Sequence, residues 1–384
     1  MTDAGQSMQV GDAREVDVAS IEKELTSLWK RAGGEHDPGD APVMRACSMN
    51  LIVVTDEETE ADELAALVGE ITVEHPARIF LVVADRANGS PRLESWISAR
   101  CSLPVPGGRQ VCCEQISLRA AGTEANKIPS IIISLLVADM PVVLLWEGDV
   151  STRDPVLAAL ARVADRVIID SSADPSSPRT FFEWGAFVRD AGGHTTFSDL
   201  AWTHVTPWRA VLAQLFQPAD TRPHLSAIDS VSIEYSSTST PRHYGLGQSI
   251  LLAGWLAERL RWLMVYPFQH RREGDYASTF RMGERAITIR LVQVVARPGR
   301  PGGIESVSLH AAGGFQLTVR TTSHAGCLRV TRDIAGPSRD EMISTNADRS
   351  EAALIADELG ITRRDVRYEE ALKMANATLT ELLV

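Results

Sequence analysis

Several signatures of chemistry are missing from these 384 residues. There is no G-x-x-x-x-G-K-[ST] run, which excludes a Walker-type phosphate loop, and no G-x-S-x-G nucleophile elbow. The nine histidines are scattered, with no H-E-x-x-H and no cysteine pair at zinc spacing. Cysteine is scarce and odd in number: Cys47, Cys101, Cys112, Cys113 and Cys327. The adjacent Cys112 and Cys113 are poorly placed to bridge. Reduced thiols in a cytoplasmic protein are expected from this usage. The first residues lack a basic segment followed by an apolar one, so no secretory leader is expected. The longest apolar stretch, Ser249 to Val265, is broken by Glu258, Arg259 and Arg261, so no membrane span is expected. A net charge of −12 argues against nucleic acid or an anionic membrane as partner.

What is present reads as a folded chain of more than one domain. It is 44% hydrophobic and 23% charged, and it exceeds what one ordinary core organises. Residues 1–40 form a helical arm, with Val18, Ile21, Leu25 and Leu28 on one stripe followed by Trp29. Residues 41–172 alternate strand and helix. Leu51 to Val54, Arg78 to Asp85, Val111 to Leu118, Pro141 to Gly148 and Arg166 to Ser171 read as strands of a mainly parallel sheet flanked by helices. Ala173 to Arg179 is rich in Pro and Ser and reads as a linker. Residues 180–384 then form a second α+β domain. Its helix at 181–191 ends at Gly192–Gly193, and its central helix runs over about 247–262. The strands at 286–295, 304–309, 315–320 and 327–332 predict an antiparallel meander, closed by two C-terminal helices. The fold class is therefore α/β, with α+β character in the second half.

The chain is organised around Asp199 to Gln217, which carries Trp202 and Trp208 with Pro207 between them. Val211, Leu212, Leu215 and Phe216 mark one face of a helix here. Large aromatics of this kind anchor a core or form an interface hot spot. Gly245-Leu-Gly247 is half of a dinucleotide fingerprint at a helix start, with Ile250 where the third Gly belongs. With Arg242 and His243 beside it, this start could hold a phosphate, though an ordinary helix start is the default. His75-Pro76-Ala77-Arg78 reads as a structural turn, and Asp170-Ser171-Ser172 as a capped strand end.

Read together, the landmarks resemble one family. They are the Asn50–Val54 strand, His75-Pro76-x-Arg78, Cys113-Glu114-x-Ile116, Asp139-Met140-Pro141-Val142, and Leu145-Trp146 with Gly148. Asp170-Ser171-Ser172, Asp199-Leu200-x-Trp202, Trp208-Arg209 and the helix at 251–262 complete the set. Their order over residues 45–265 resembles the OpcA family, the glucose-6-phosphate dehydrogenase assembly proteins. The resemblance implies a non-enzymatic protein without cofactor or metal. Such a protein binds glucose-6-phosphate dehydrogenase, promotes its active oligomer and activates it allosterically in the pentose phosphate pathway. On this reading Trp202, Trp208, Arg209, Leu25 and Trp29 are the expected partner contacts. The sequence departs from the family pattern at Glu147, Thr203, His204 and Arg261. No cysteine follows Cys327, so the thioredoxin control linked to cyanobacterial members is not expected. The other reading is a sugar-phosphate- or NADP-binding sensor or enzyme built on Arg242, His243, Gly245 and Gly247.

Overall fold

The computed structural model describes residues 9–380 apart from 11–13, 35–42, 58–60, 88, 103–109, 149–153, 173–176, 192–193, 240–241, 273, 299–301, 325, 335–337, 346–348 and 362. Most of the expected linker, and the Gly192–Gly193 helix stop, lie outside the described residues.

The first half begins with two short strands, β1 (Gln9–Val10) and β2 (Arg14–Glu15), and helix α1 (Ile21–Gly34). Then follow β3 (Val43–Arg45), β4 (Met49–Thr55), α2 (Ala61–Glu74), β5 (Ala77–Asp85), β6 (Arg92–Ser102) and β7 (Gln110–Ala121). The series continues through α3 (Ile128–Leu135), β8 (Val142–Trp146), α4 (Pro155–Ala161), β9 (Arg166–Ile169), α5 (Ser177–Asp190) and β10 (Thr196–Asp199). Among the described residues these strands make a ten-stranded sheet ordered β1-β6-β7-β5-β4-β8-β9-β10, with β2 on β6 and β3 on β7. From β7 to β10 every pairing is parallel. The apolar runs that predicted buried strands are buried along their whole length in β4 and β8. A sheet covered on both faces requires that.

The strand β6 has no such run. Its sequence, RLESWISARCS, mixes charged, hydroxyl and apolar residues without strict alternation, and it pairs antiparallel with β7. That pairing sets Cys101 directly opposite Cys112, and the two form a disulfide. The expectation of reduced thiols throughout is therefore corrected. The bridge was hidden because β6 was not read as a strand. Cys47, Cys113 and Cys327 are free, and burial pushes the Cys113 thiol up to about 11.

The second half opens with α6 (Leu200–His204) and α7 (Thr206–Leu215), separated at Val205. It continues with β11 (Ile228–Ser239), β12 (Arg242–Tyr244) and α8 (Gly245–Arg259). Then come β13 (Leu263–Arg272), β14 (Asp275–Met282), β15 (Arg285–Gln293), β16 (Gly303–Ala311), β17 (Phe315–Thr321), β18 (Cys327–Asp333) and β19 (Arg339–Ser344). Helices α9 (Glu351–Gly360) and α10 (Val366–Thr378) follow. The sheet order is β13-β14-β15-β11-β16-β17-β18-β19, with β12 on β11. The meander is thus not wholly antiparallel: β11 inserts between β15 and β16 and runs parallel to β15.

Helix α8 lies at the centre of this half, buried from Gly245 to Gly254. It packs on α10 so closely that a Cβ at Gly254 would lie 2.6 Å from the Ala371 carbonyl oxygen. Helix α9 travels the other way. Its Leu354 and Ile355 join Leu64, Val68 and Ile71 of α2 against Leu51, Val53 and Ile79 of the first sheet.

The arm packs on the first sheet. Ile21 and Leu25 are buried at 0% and 1% exposure, and Trp29 Nε1 donates to Glu114. Glu114 also accepts from Arg78 Nε at 2.8 Å and from Arg45 at 2.6 Å. Arg78 in turn donates to Glu22 of α1 at 2.7 Å and to the Leu135 carbonyl at 2.6 Å. The expected structural role of the 75–78 turn is met by this cluster, which seats α1 on the sheet. Replacing Glu114 by Ala leaves the buried Arg78 guanidinium without its main counter-charge. A loss of about 3–5 kcal/mol is expected, read as a lower urea midpoint.

Candidate functional site

A doubly wound sheet binds ligands beyond the carboxyl ends of its strands, where the strand order reverses. Here the chain leaves β4 towards β5 and returns to the other side of β4 as β8, so the switch point lies between Thr55–Asp56 and Trp146–Gly148. The position is occupied by the protein's own side chains. Trp146 is buried, and the Arg86 guanidinium lies over its ring, 5.6 Å from the centroid. Arg86 forms an ion pair with Asp154 and approaches Asp56 at 3.9 Å. Asp154 also caps α4, accepting from Val156 and Leu157 nitrogens at 2.8 and 3.1 Å. A Cβ at Gly148 would sit 3.4 Å from Trp146 Nε1 and 3.5 Å from the Asp56 carboxyl carbon.

The turn after β4 begins Asp56-Glu57, where a dinucleotide fold needs glycines that let a pyrophosphate approach the backbone. Two carboxylates at that point repel such a group. Nothing in the sequence signalled that Arg86 would reach across the switch point.

A second constellation lies at the ends of β9 and β10. Asp199 is buried at 1% exposure. It accepts from the Ser171 nitrogen at 3.0 Å, Ser171 Oγ at 2.7 Å, the Ala201 nitrogen at 3.0 Å and Tyr368 Oη at 3.4 Å. Tyr368 in turn accepts from Trp184 Nε1 at 2.7 Å. Burial, with the nearby Asp170 carboxylate, pushes Asp199 up to about 7, against the pull of its hydrogen bonds. Asp170 itself accepts from Ser172 nitrogen and Oγ at 2.8 and 2.6 Å, the strand-end cap expected from the sequence.

The tryptophan stretch completes this layer. Trp202 Nε1 donates to Asp365 at 2.8 Å, and Thr203 Oγ1 donates to Glu358 at 2.8 Å. Arg209 stacks on Trp202 at 3.5 Å to the ring centroid, and burial lowers its pKa to about 10. Trp202, Trp208 and Leu25 are interior, at 3%, 4% and 1% exposure. Their expected place at a partner surface is therefore corrected: they join the C-terminal helices and the arm to the core. Trp29 and Arg209 are half-buried.

The start of α8 is likewise closed. A Cβ at Gly245 would lie 2.5 Å from the Ser236 carbonyl oxygen and 2.6 Å from that of Gly303, and one at Gly247 would lie 3.2 Å from Phe181 and from the Ser171 oxygen. Gly245 lets the helix start lie against the paired ends of β11 and β16, and Gly247 lets it pass Phe181 and the Ser171 carbonyl. This packing fits the default reading of an ordinary helix start. The Arg242 and His243 side chains lie outside the described residues. Among the described residues no group of three or more His, Cys, Asp or Glu is placed to hold a metal ion, and no helix is long and apolar enough to cross a membrane.

Fold and site thus define a mixed α/β protein with two sheets, in which the switch point of the first sheet is filled by the protein's own tryptophan and arginine. Two family models match most of it. The glucose-6-phosphate dehydrogenase subunit N-terminal domain covers residues 68–184, and the C-terminal domain of the same subunit covers 195–372. The chain belongs to this family, OpcA.

Among curated proteins it is 25% identical over 333 residues to a protein provisionally named OxPP cycle protein OpcA from Synechococcus elongatus, covering 83% of this chain and 71% of that one. The protein of the same name from Synechocystis is 24% identical over 341 residues, covering 83% and 66%. Among solved structures, a 3-ketoreductase from Actinomadura kijaniata aligns at a TM-score of 0.47 and 12% identity, covering 87% of this chain and 96% of that one.

Two outcomes follow from the geometry. Because the folded-state pKa of Asp199 is raised, its protonated form is favoured by folding. Stability is then highest below the ordinary Asp value and falls as pH rises to about 7, by up to about 4 kcal/mol. Asp199→Asn flattens that slope in melts taken from pH 4 to 8. Gly245→Ala drives a methyl into two carbonyls and costs several kcal/mol, read as a lowered melting temperature.

Proposed function

We propose that this chain is a non-catalytic cytoplasmic subunit that binds glucose-6-phosphate dehydrogenase, promotes its active oligomer and raises its activity in the oxidative pentose phosphate pathway. The observation that carries the reading is the family match across both halves, each described as part of a dehydrogenase subunit. The relatives' names, which refer to the OxPP cycle, support the pathway. The filled switch point supports a binding role, since Trp146 and Arg86 stand where a nucleotide would lie.

Activation of this kind is a shift in population. A subunit that binds the active dehydrogenase better than the inactive one moves the balance by its differential affinity alone. Tenfold activation acting wholly through that balance requires about 1.4 kcal/mol. Of the five contacts expected from the sequence, Trp29 and Arg209 are the two whose side chains are half-exposed. The proposal keeps those two.

The test mixes the chain with glucose-6-phosphate dehydrogenase from the same cell. NADPH formation is followed against glucose-6-phosphate, with the mass of the mixture read by light scattering. A heavier species with a lower half-saturation or a higher maximal rate is expected. A heavier species with unchanged kinetics reduces the role to a scaffold. No complex and no rate change rejects the proposal.

A further inference from the structure

The second sheet has one apolar face and one hydroxyl-rich face. Val231, Ile233, Ile289, Val307, Leu317 and Val330 are buried on the side packed by α8. Side chains alternate along a strand, so the residues between them line the opposite face. The register sets these into rows. One row across β15, β11, β16, β17, β18 and β19 reads Arg290, Ser232, Ser308, Thr318, Thr331, Asp340. Four hydroxyls lie between a cation and an anion. All six side chains are half-buried or exposed.

The next row begins with Val292 and Glu234 and ends with Arg329 and Met342, the last at 50% exposure. Both rows are self-complementary when turned about a two-fold axis parallel to the strands between β16 and β17. That operation sets Arg290 over Asp340, Glu234 over Arg329 and Val292 over Met342, and it leaves Ser308 facing Thr318.

We propose that this face is the interface of a homodimer in which a second copy of the chain stacks its own sheet face to face about that axis. Charge supports the second copy as occupant: Arg290 meets Asp340 and Arg329 meets Glu234 across the axis, with Arg320 facing Ser306, although the chain as a whole carries −12. Such a contact is isologous, the commonest arrangement in homo-oligomers. The six strands that overlap about that axis, β15, β11, β16, β17, β18 and β19, at about 4.8 Å spacing and about 23 Å length give a face of roughly 660 Å², at the lower end of the range for a standard stable interface. Glu234 meets Arg320 of its own chain at 3.2 Å, and Arg329 of the partner subunit adds a second cation to that carboxylate. This inference is independent of any dehydrogenase contact.

The experiment uses the full chain alone at tens of micromolar, with mass read by light scattering after gel filtration. Wild type is expected at twice the 41.8 kDa chain mass. Arg329→Glu sets like charges against each other across the axis, and Ser308→Lys places two cations beside it. Both are expected at the mass of a single chain, with circular dichroism melts confirming that they stay folded. The double variant Glu234→Arg, Arg329→Glu restores opposite charges across the axis and is expected to recover the doubled mass. A wild type of single-chain mass overturns the proposal. So does a doubled mass that survives both single changes, or a double variant that stays at single-chain mass.

Discussion

The Asp199 carboxylate holds the two halves of the chain in one arrangement. It ends the last strand of the first sheet, caps the first helix of the second half, and receives the hydroxyl of Tyr368 from the last helix. A charge there is unfavourable without its donors, and the donors come from segments far apart in sequence. Burial of one acid thus ties together β9, β10, α6 and α10. The contacts around it extend the same seam: Trp202 reaches Asp365, and Thr203 reaches Glu358. Arg166 at the start of β9 donates to Ser198 and lies 3.4 Å from Glu358. Charged side chains so deeply placed are tolerated only when partnered, which makes this layer sensitive to any single loss.

Periodicity made the buried strands legible. Continuous apolar runs such as Leu51–Val54 and Val142–Trp146 can only be interior, and they are. It failed for β6, which has neither a continuous apolar run nor a strict alternation, and with it failed the disulfide that joins β6 to β7. It also failed for the order of the second sheet. Each local strand was readable, but nothing local tells β11 to leave its neighbours in sequence and enter between β15 and β16.

The candidate sites divide along the same line. Trp202 and Trp208 stood out by residue type, yet a tryptophan's type does not distinguish core from surface; only packing does. Gly245 and Gly247 stood out by spacing. Their reason is the close approach of a helix to two carbonyls, which spacing imitates without any ligand. The pairing of Arg86 with Trp146 and Asp154 could not be read from the sequence, since the three come together only at the switch point of a folded sheet.

The return of α9 to the first sheet bears on how the protein is made. Leu354 and Ile355 complete a hydrophobic surface begun by Leu51 and Leu64, roughly 300 residues earlier. During synthesis that surface waits until the chain has been extended past Gly360. At about 5–20 residues per second the wait lasts tens of seconds. The amino-terminal half therefore leaves the ribosome with the part of that surface that α9 later covers still open.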